Sequence, residues 1–500
     1  MTTVAIIGGG LGGLSAGCLL QASGARCTIY EQRPAPGGLA TTLLGPQFTI
    51  DGGVSWLTGY DGPEPARGLY ARLGLLEGDL LRAEETLVRF IDAAAGRRVD
   101  VTRDLDRLET DLVAAAPDDA AAIHEFLAGA RAFAHLDCAP LTLGNPPELD
   151  GLVDRFAVGW RARPVRRWMT SAPWSDTSVD AWSAALRSRF VRDALRALAG
   201  PTAPPWCAMM RLGQHARGGT ARVNGGGRAL VDALARRFAS LGGTLSLNAR
   251  VARIDVEGER AVGVTLDAGA PVTADAVVCT TDPWQSHGAL LGGYDIDEAT
   301  AVRIADGAVS WPTAYVHLVV EDDLPDAPWR AHLLLRDPWL VGDHAVHDVP
   351  LRYLRAGEGG TPAGHATIQL AVETTWEWWN DDDEKSQAIL DVRRTALVTQ
   401  CLAQLAPLHP GIARRVRRAE VLTPDVFHDA TGAHQGITAA WLSTPDTVRR
   451  PLPLRVPGLQ NVYSAGQWSA VGSCALHALH SGRQAARLLC SDAGLRADGW

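Results

Sequence analysis

Val4-Ala5-Ile6-Ile7-Gly8-Gly9-Gly10-Leu11-Gly12-Gly13-Leu14 runs from an apolar stretch into a cluster of glycines, and its reading decides the fold. Val4 to Ile7 reads as a short buried parallel strand. Gly8, Gly10 and Gly13 follow in G-x-G-x-x-G spacing. Leu14 to Gln21 has helical periodicity, and Gly24 closes it. Arg26 to Tyr30 reads as a second strand, ending at Glu31. Strand, glycines, helix, strand and acid in this register predict a βαβ unit that holds a dinucleotide. Gly8 allows the tight turn, Gly10 lets backbone approach a pyrophosphate, and Gly13 lets the helix pack close to the sheet. The helix N-terminus offers free N–H groups and a partial positive charge to phosphates. Glu31 can accept hydrogen bonds from a ribose diol and would repel a 2′-phosphate.

The residues after Glu31 narrow the choice of cofactor. Arg33-Pro-Ala-Pro-Gly37-Gly38-Leu39-Ala40-Thr41 carries a second glycine pair, and Asp51-Gly52-Gly53-Val54-Ser55-Trp56 another glycine turn. This double pattern resembles the FAD-binding start of the glutathione-reductase-like flavoproteins, in the branch of amine oxidases and phytoene desaturases. Further on, Gly225-Gly226-x-x-Ala229-Leu230, Gly242-Gly243, Val251-x-x-Ile254, Gly263-Val264 and Ala274-Asp-Ala-Val-Val278 to Asp282-Pro283 resemble the middle of phytoene-desaturase-type oxidoreductases. Thr423-Pro424 to Trp441 resembles a further block of that family. Asn461-Val462-Tyr463-x-Ala465-Gly466-Gln467-Trp468, followed by a helix from Ala475 to Leu489 containing Ser481-Gly482-Arg483, resembles its last FAD motif. The resemblance implies non-covalent FAD, held by Gly8, Gly10, Leu11, Gly12, Gly13, Glu31, Gln32, Arg33, Gly38, Leu39, Ala40, Thr41, Gly53, Val54, Ser55, Val251, Thr280, Gly466, Gln467, Ala475 and Leu476. It implies that Val251 meets the adenine by its backbone, and that the helix start near Ala475 faces the flavin. The sequence departs from the family at Leu476, where a proline is usual, with His477 and His480 following.

The expected fold is α/β: a Rossmann-like, three-layer FAD-binding domain with a parallel sheet, into which an α+β substrate domain of antiparallel sheet and helices is inserted. Residues 1–56, 222–282 and 423–500 belong to the first, and residues 57–221 and 283–422 to the second. Helices are expected over Ala66–Leu73, Asp118–Phe133, Ala229–Leu241 and Arg393–Leu405, and strands over Trp311–Val320 and Ala366–Glu373. Trp160, Trp168, Trp174, Trp182 and Trp206 pack between helices or wall a large apolar pocket, and helix packing is the preferred reading. Arg161, Arg163, Arg166 and Arg167 among them read as a solvated face, with a partner or membrane contact as alternatives.

The chain has 500 residues and a net charge of −9, which argues against a nucleic-acid binder. Its eight cysteines form no C-x-x-C pair, so they read as reduced core residues, and no metal site is expected. No apolar run reaches ~18 residues and the first strand starts at once, so the expectation is a cytoplasmic protein able to dock on membranes. The sequence assigns no oligomeric state.

The resemblance implies hydride transfer at flavin N5 that desaturates, saturates or isomerises C=C bonds of an apolar polyene of carotenoid, retinoid or polyketide type. A flavin amine oxidase is the first alternative, although Lys385 is the chain's single lysine. A non-redox flavin-binding scaffold is the second. His477 and His480 are the candidate catalytic groups, with His287 and Glu373 behind them; their bland reading is one buried and one hydrogen-bonded helix histidine.

Overall fold

A computed structural model describes the chain except residues 41, 45–48, 52, 53, 55, 63–65, 137–143, 147, 293, 295, 381–386, 470–473 and 498–500. For 42–44, 49–51 and 152–155 it describes the backbone alone. Thr41, Gly53, Ser55 and Lys385 therefore lie outside the described residues or side chains.

Five short strands make a parallel sheet in the order Thr244–Ser246, Arg26–Tyr30, Thr3–Ile7, Ala276–Cys279, Val462–Ser464. Thr3–Ile7 sits at its centre, with Ile6 level with Ile29 on one side and Val278 on the other. Such strands are buried on both faces, which is why they read as continuous apolar runs. Helices Leu11–Ala22, Gly226–Ser240 and Ala475–Asp492 cover one face, packing Leu14, Phe238 and Leu479 against Ile6 and Ile29. The other face carries a three-stranded antiparallel sheet, Val251–Glu257, Arg260–Leu266 and Pro271–Thr273, whose Ile254 and Val264 meet Ala5, Ile7 and Val277. This is the three-layer arrangement expected. Two helices cross at a separation only glycine permits: a Cβ on Gly482 would lie 2.4 Å from the Gly12 carbonyl oxygen.

A second sheet of seven strands runs Val416–Leu422, Thr313–Val320, Ala366–Glu373, His344–Leu354, Arg330–Val341, Thr86–Asp92, Arg97–Thr102. Its one parallel pairing joins Arg330–Val341 to Thr86–Asp92. The sequence reading missed the hairpin Arg330–Val341/His344–Leu354. Its register shifts between Leu334 and Trp339, across exposed Arg336-Asp337-Pro338, which breaks the two-residue alternation. One face packs Val316, Leu351 and Leu370 beneath helix Gln387–Leu405, through Leu397, Cys401 and Leu405. At the far edge, helices Leu105–Ala115, Ala120–His135, Arg189–Ala199 and Pro205–Gly218 build a separate core. Trp168 meets Trp174 edge-on at 5.1 Å and Trp174 meets Trp182 at a tilt at 5.2 Å against that core, so they pack helices. Arg161, Arg163, Arg166 and Arg167 are exposed. A small sheet of Trp56–Thr58, Thr220–Val223 and Leu81–Glu84 links the two halves. Among the described residues no helix is long and apolar enough to cross a membrane.

Two buried histidines give the fold a pH dependence. Burial pushes His215 down to about 4, against a weak opposing bond to the Glu85 carbonyl. Burial, helped by the Arg352 charge, pushes His317 to about 3. Both stay neutral when folded, whereas the unfolded chain takes up their protons near 6.5. The unfolded state then binds more protons, so stability falls as pH drops from about 6.5 towards 4. Thermal denaturation at pH 7 and pH 5 should show a loss of roughly 2 kcal/mol per histidine, and His317→Gln should remove its share. A melting temperature flat over that range would refute the assignment.

Candidate functional site

The centre of the molecule is a cavity of about 590 Å³ between the parallel sheet and the second sheet. Its floor is the glycine turn. Gly8 takes φ +102° and donates its N–H to the Tyr30 carbonyl at 2.9 Å, while Thr280 Oγ1 donates to the Ile7 carbonyl at 2.9 Å. The Leu11–Ala22 helix starts at Gly10 with no side chain capping it, so its first N–H groups remain available. The Gly38 loop comes so near that a Cβ on Gly38 would stand 3.3 Å from Gly10 Cα. A buried, uncapped helix start under a glycine lid is a cradle for a pyrophosphate.

Glu31, buried, is fixed by two backbone donors: Gly9 N–H at 2.8 Å and Arg33 N–H at 3.0 Å. Arg33 Nη1 is buried without a protein partner, and burial, offset by Glu31, lowers the arginine. At the opposite end Gly466 has φ +105°, and its N–H is held by Ser481 Oγ at 2.7 Å, which gives the Ser481-Gly482-Arg483 run a physical role. Gln467 Nε2 is also buried and unpartnered in the protein. Orphan donors at both ends and a cradle that side chains would fill fit a flavin nucleotide lying from Glu31 to Gln467.

Of the residues expected from sequence, Gly8, Gly10, Leu11, Gly12, Glu31, Gln32, Arg33, Gly38, Leu39, Ala40, Val54, Val251, Thr280, Gly466, Gln467 and Ala475 line the cavity. Gly13 sits behind the turn, where its place is set by packing. Leu476 belongs to the core beside the helices, not to the cavity wall. Neither His477 nor His480, the expected catalytic groups, lines the cavity. Cys474, Ala475 and Ala478 line it there, and His477, three residues on from Cys474, hydrogen-bonds the Cys474 thiol without lining the cavity itself. His480 is buried, and burial, with Arg483 and His477 adding, holds it neutral.

Several cavity residues lie outside the set expected to hold the cofactor. Asp282 ends the Ala276–Cys279 strand and accepts the N–H of Gln285 at 2.9 Å and of His434 at 3.2 Å. With Gln32 Nε2 donating to the Thr431 carbonyl at 3.2 Å, it fastens the 424–436 turn over the cavity. Tyr315 reaches in from the second sheet and shares a hydrogen bond with Thr438 Oγ1 at 3.1 Å. Cys474 precedes the Ala475–Asp492 helix as its N-cap residue.

The geometry is that of a flavoprotein, and the whole chain agrees. Residues 11–490 match the family model described as flavin containing amine oxidoreductase. The chain belongs to that family. Within reach of this flavin oxidoreductase lie curated relatives from carotenoid metabolism. All-trans-zeta-carotene desaturase of Myxococcus xanthus is 26% identical, with 98% of this chain and 94% of that protein covered. Phytoene desaturase (lycopene-forming) of Pseudescherichia vulneris is 24% identical over 98% and 100%. Prolycopene isomerase 2, chloroplastic, of an Oncidium hybrid cultivar is 23% identical over 98% and 84%. Solved structures share the fold: an oxidoreductase from Methanosarcina mazei at TM-score 0.62 and 17% identity, covering 96% and 99%, and a putrescine oxidase bound to putrescine at 0.60 and 16%, covering 99% of each chain.

As a flavin oxidoreductase, the chain places a free thiol, Cys474, in the cavity wall. Burial would raise Cys474, but the His477 charge, hydrogen bonds from the His477 ring and N–H, and the Arg211 charge bring it down to about 7. The flavin absorbance should therefore change between pH 6 and 8 with a midpoint near 7, and Cys474→Ala should abolish the step. An identical pH difference spectrum in that variant would rule the thiolate out.

Proposed function

We propose that this flavin oxidoreductase binds FAD non-covalently and desaturates, saturates or isomerises C=C bonds of a polyene substrate of carotenoid, retinoid or polyketide type. The observation that carries the reading is one cavity running from Glu31 past Gly10 to Gln467 and on to Trp56 and Tyr315, in a chain matching carotenoid desaturases and an isomerase nearly end to end. Glu31 would take the ribose hydroxyls, the Leu11–Ala22 helix start the pyrophosphate, and backbone at Val251 the adenine. When bound, the flavin supplies two-electron exchange with a substrate carbon.

The chain's own residues orient and shield. The uncapped start of Ala475–Asp492 opens on the cavity, where its positive end would stabilise negative charge on a bound flavin. Trp56, Tyr315 and Trp468 supply flat apolar surface for a conjugated chain and exclude water. Docking on membranes, which would deliver such a substrate, belongs to the same reading.

The test is anaerobic incubation of the purified yellow protein with phytoene, zeta-carotene and prolycopene, followed by chromatography and mass spectrometry. Products differing by two hydrogens, or an altered cis–trans pattern, support the reading. Hydrogen peroxide from an amine panel in a parallel aerated assay, with every polyene untouched, would replace it by an amine oxidase.

A further inference from the structure

Phe156 and Trp160 lie one turn apart on helix Leu152–Arg161 and are 73% and 60% exposed. Their rings stack at 6.5 Å. Among the described residues Trp311 is the only other exposed aromatic side chain, and it leans on His344 at 4.5 Å. A single exposed ring needs no explanation. Two side by side, rimmed by cations, form an apolar patch of the kind that something else covers.

Helix Arg163–Thr170 follows after Ala162 alone. It buries Val165 and Trp168 against the core of Ile123, Phe126 and Phe133. That packing leaves Arg163, Arg166 and Arg167 exposed at the i, i+3, i+4 spacing of one helix face. Arg161 is exposed at the end of the preceding helix. The Arg163 guanidinium carbon stands 4.6 Å from the centre of the Trp160 ring, which joins the aromatic and cationic parts into one surface. Arg167 is engaged within the protein, by Glu125 at 2.5 Å and by the Trp168 ring at 4.7 Å. Among the described residues, no carboxylate lies at ion-pair distance from Arg161, Arg163 or Arg166.

The whole chain carries a charge of −9, so these unpaired cations run against its average. A solvated face accounts for the arginines but not for the rings beside them. Aromatic rings and guanidinium groups favour the same depth in a bilayer, where headgroups meet acyl chains. There the rings leave water and the guanidinium groups find phosphate oxygens. No described helix is long and apolar enough to cross a bilayer, so such a contact is one-sided.

We propose that Phe156, Trp160, Arg161, Arg163 and Arg166 form a docking surface for a bilayer rich in anionic headgroups. The two rings enter the acyl boundary, and the three arginines bind lipid phosphates. The cargo taken from that bilayer rests on the polyene reading above; the surface itself does not.

The test is co-sedimentation of the holoenzyme with phosphatidylglycerol vesicles, with phosphatidylcholine vesicles as the neutral control. The anionic vesicles should bind at least about ten-fold tighter, since each arginine near an anionic surface is worth about five-fold. Added salt should weaken that binding. Arg161→Gln, Arg163→Gln and Arg166→Gln together should remove most of the preference. Phe156→Ser with Trp160→Ser should weaken binding to the anionic vesicles by about ten-fold or more. All five side chains lie outside the cavity, so both variants should purify with the wild-type flavin content. Wild-type protein left in the supernatant by anionic vesicles overturns the proposal, and needs no variant to fold. So does binding unchanged in both variants, which would put the contact elsewhere on the molecule. Sedimentation equilibrium without lipid tests the other occupant: a dimer that Phe156→Ser with Trp160→Ser dissociates would make the patch a contact between copies and overturn the proposal too. Vesicle binding with no polyene converted leaves the surface standing and removes the polyene reading. Polyene conversion in detergent, without vesicle binding, does the reverse.

Discussion

Alanine at Gly13 should yield protein that is colourless as purified. The added Cβ would stand 2.1 Å from the Gly8 carbonyl oxygen and 3.3 Å from Thr280 Oγ1. No rotamer can relieve a clash between two pieces of backbone, and the Gly8 side cannot retreat. Its N–H is bonded to Tyr30, and its carbonyl accepts Thr280 Oγ1 at 3.1 Å. The helix must then move off the turn, opening the cradle between Gly10 and Gly38. Overpacking should cost about 3 kcal/mol or more, with flavin uptake lost in addition. The ratio of absorbance at 450 nm to 280 nm, before and after soaking with FAD, reads the result. Gly159→Ala is the control: it lies in helix Leu152–Arg161 with nothing within 4 Å of the new Cβ. That change should hold flavin normally and gain up to about 1 kcal/mol from helix propensity. Normal yellow colour in Gly13→Ala would show that the turn does not set the cofactor site.

The second large effect is expected at Trp441. This residue is buried, donates Nε1–H to the Trp468 carbonyl at 2.9 Å, and stands edge-on to the Trp468 ring at 5.0 Å. Trp284 leans on it at 5.8 Å while stacking on His434 at 3.8 Å, and Arg303 covers its other side at 4.5 Å. The cluster fixes Gln467-Trp468 beside the cavity from outside. Trp441→Ala removes a large buried side chain and leaves the Trp468 carbonyl without its donor, at a cost of roughly 3–5 kcal/mol. Trp441→Phe keeps most of the packing and should lose only about 1–3 kcal/mol, mainly the unmet carbonyl. Heating each variant and following the rise in flavin fluorescence on release should order them wild type, Phe, Ala. Equal release temperatures for Ala and wild type would contradict the role given to the cluster.

The two variants also separate the legible from the hidden. Gly13 could be assigned from spacing, since its requirement is local: a glycine five residues past a turn glycine, wherever such a helix leaves such a strand. Trp441 could be placed in a family block but not given a function, because Trp284, Arg303 and Trp468 reach it from other segments. His477 and His480 stand near the right helix start, yet the cavity wall there is made by Cys474, Ala475 and Ala478, and His477 meets it only through the Cys474 thiol. The hairpin Arg330–Val341/His344–Leu354 escaped notice because its register shift hides the strand period.

What the sequence by itself determined is the half of the protein that would grip the cofactor: the βαβ start, the acid at Glu31, the closing Gly466-Gln467 segment and the three-layer sheet. Those features demand particular backbone conformations at fixed separations, and glycine spacing records them directly in the chain. What only the tertiary structure decided is the half that would meet the substrate. Trp56, Asp282, Tyr315 and Cys474 come from four distant segments, and strand register with helix packing alone brings them to one cavity. Burial is what gives their charges consequence, and burial is a property of the folded whole.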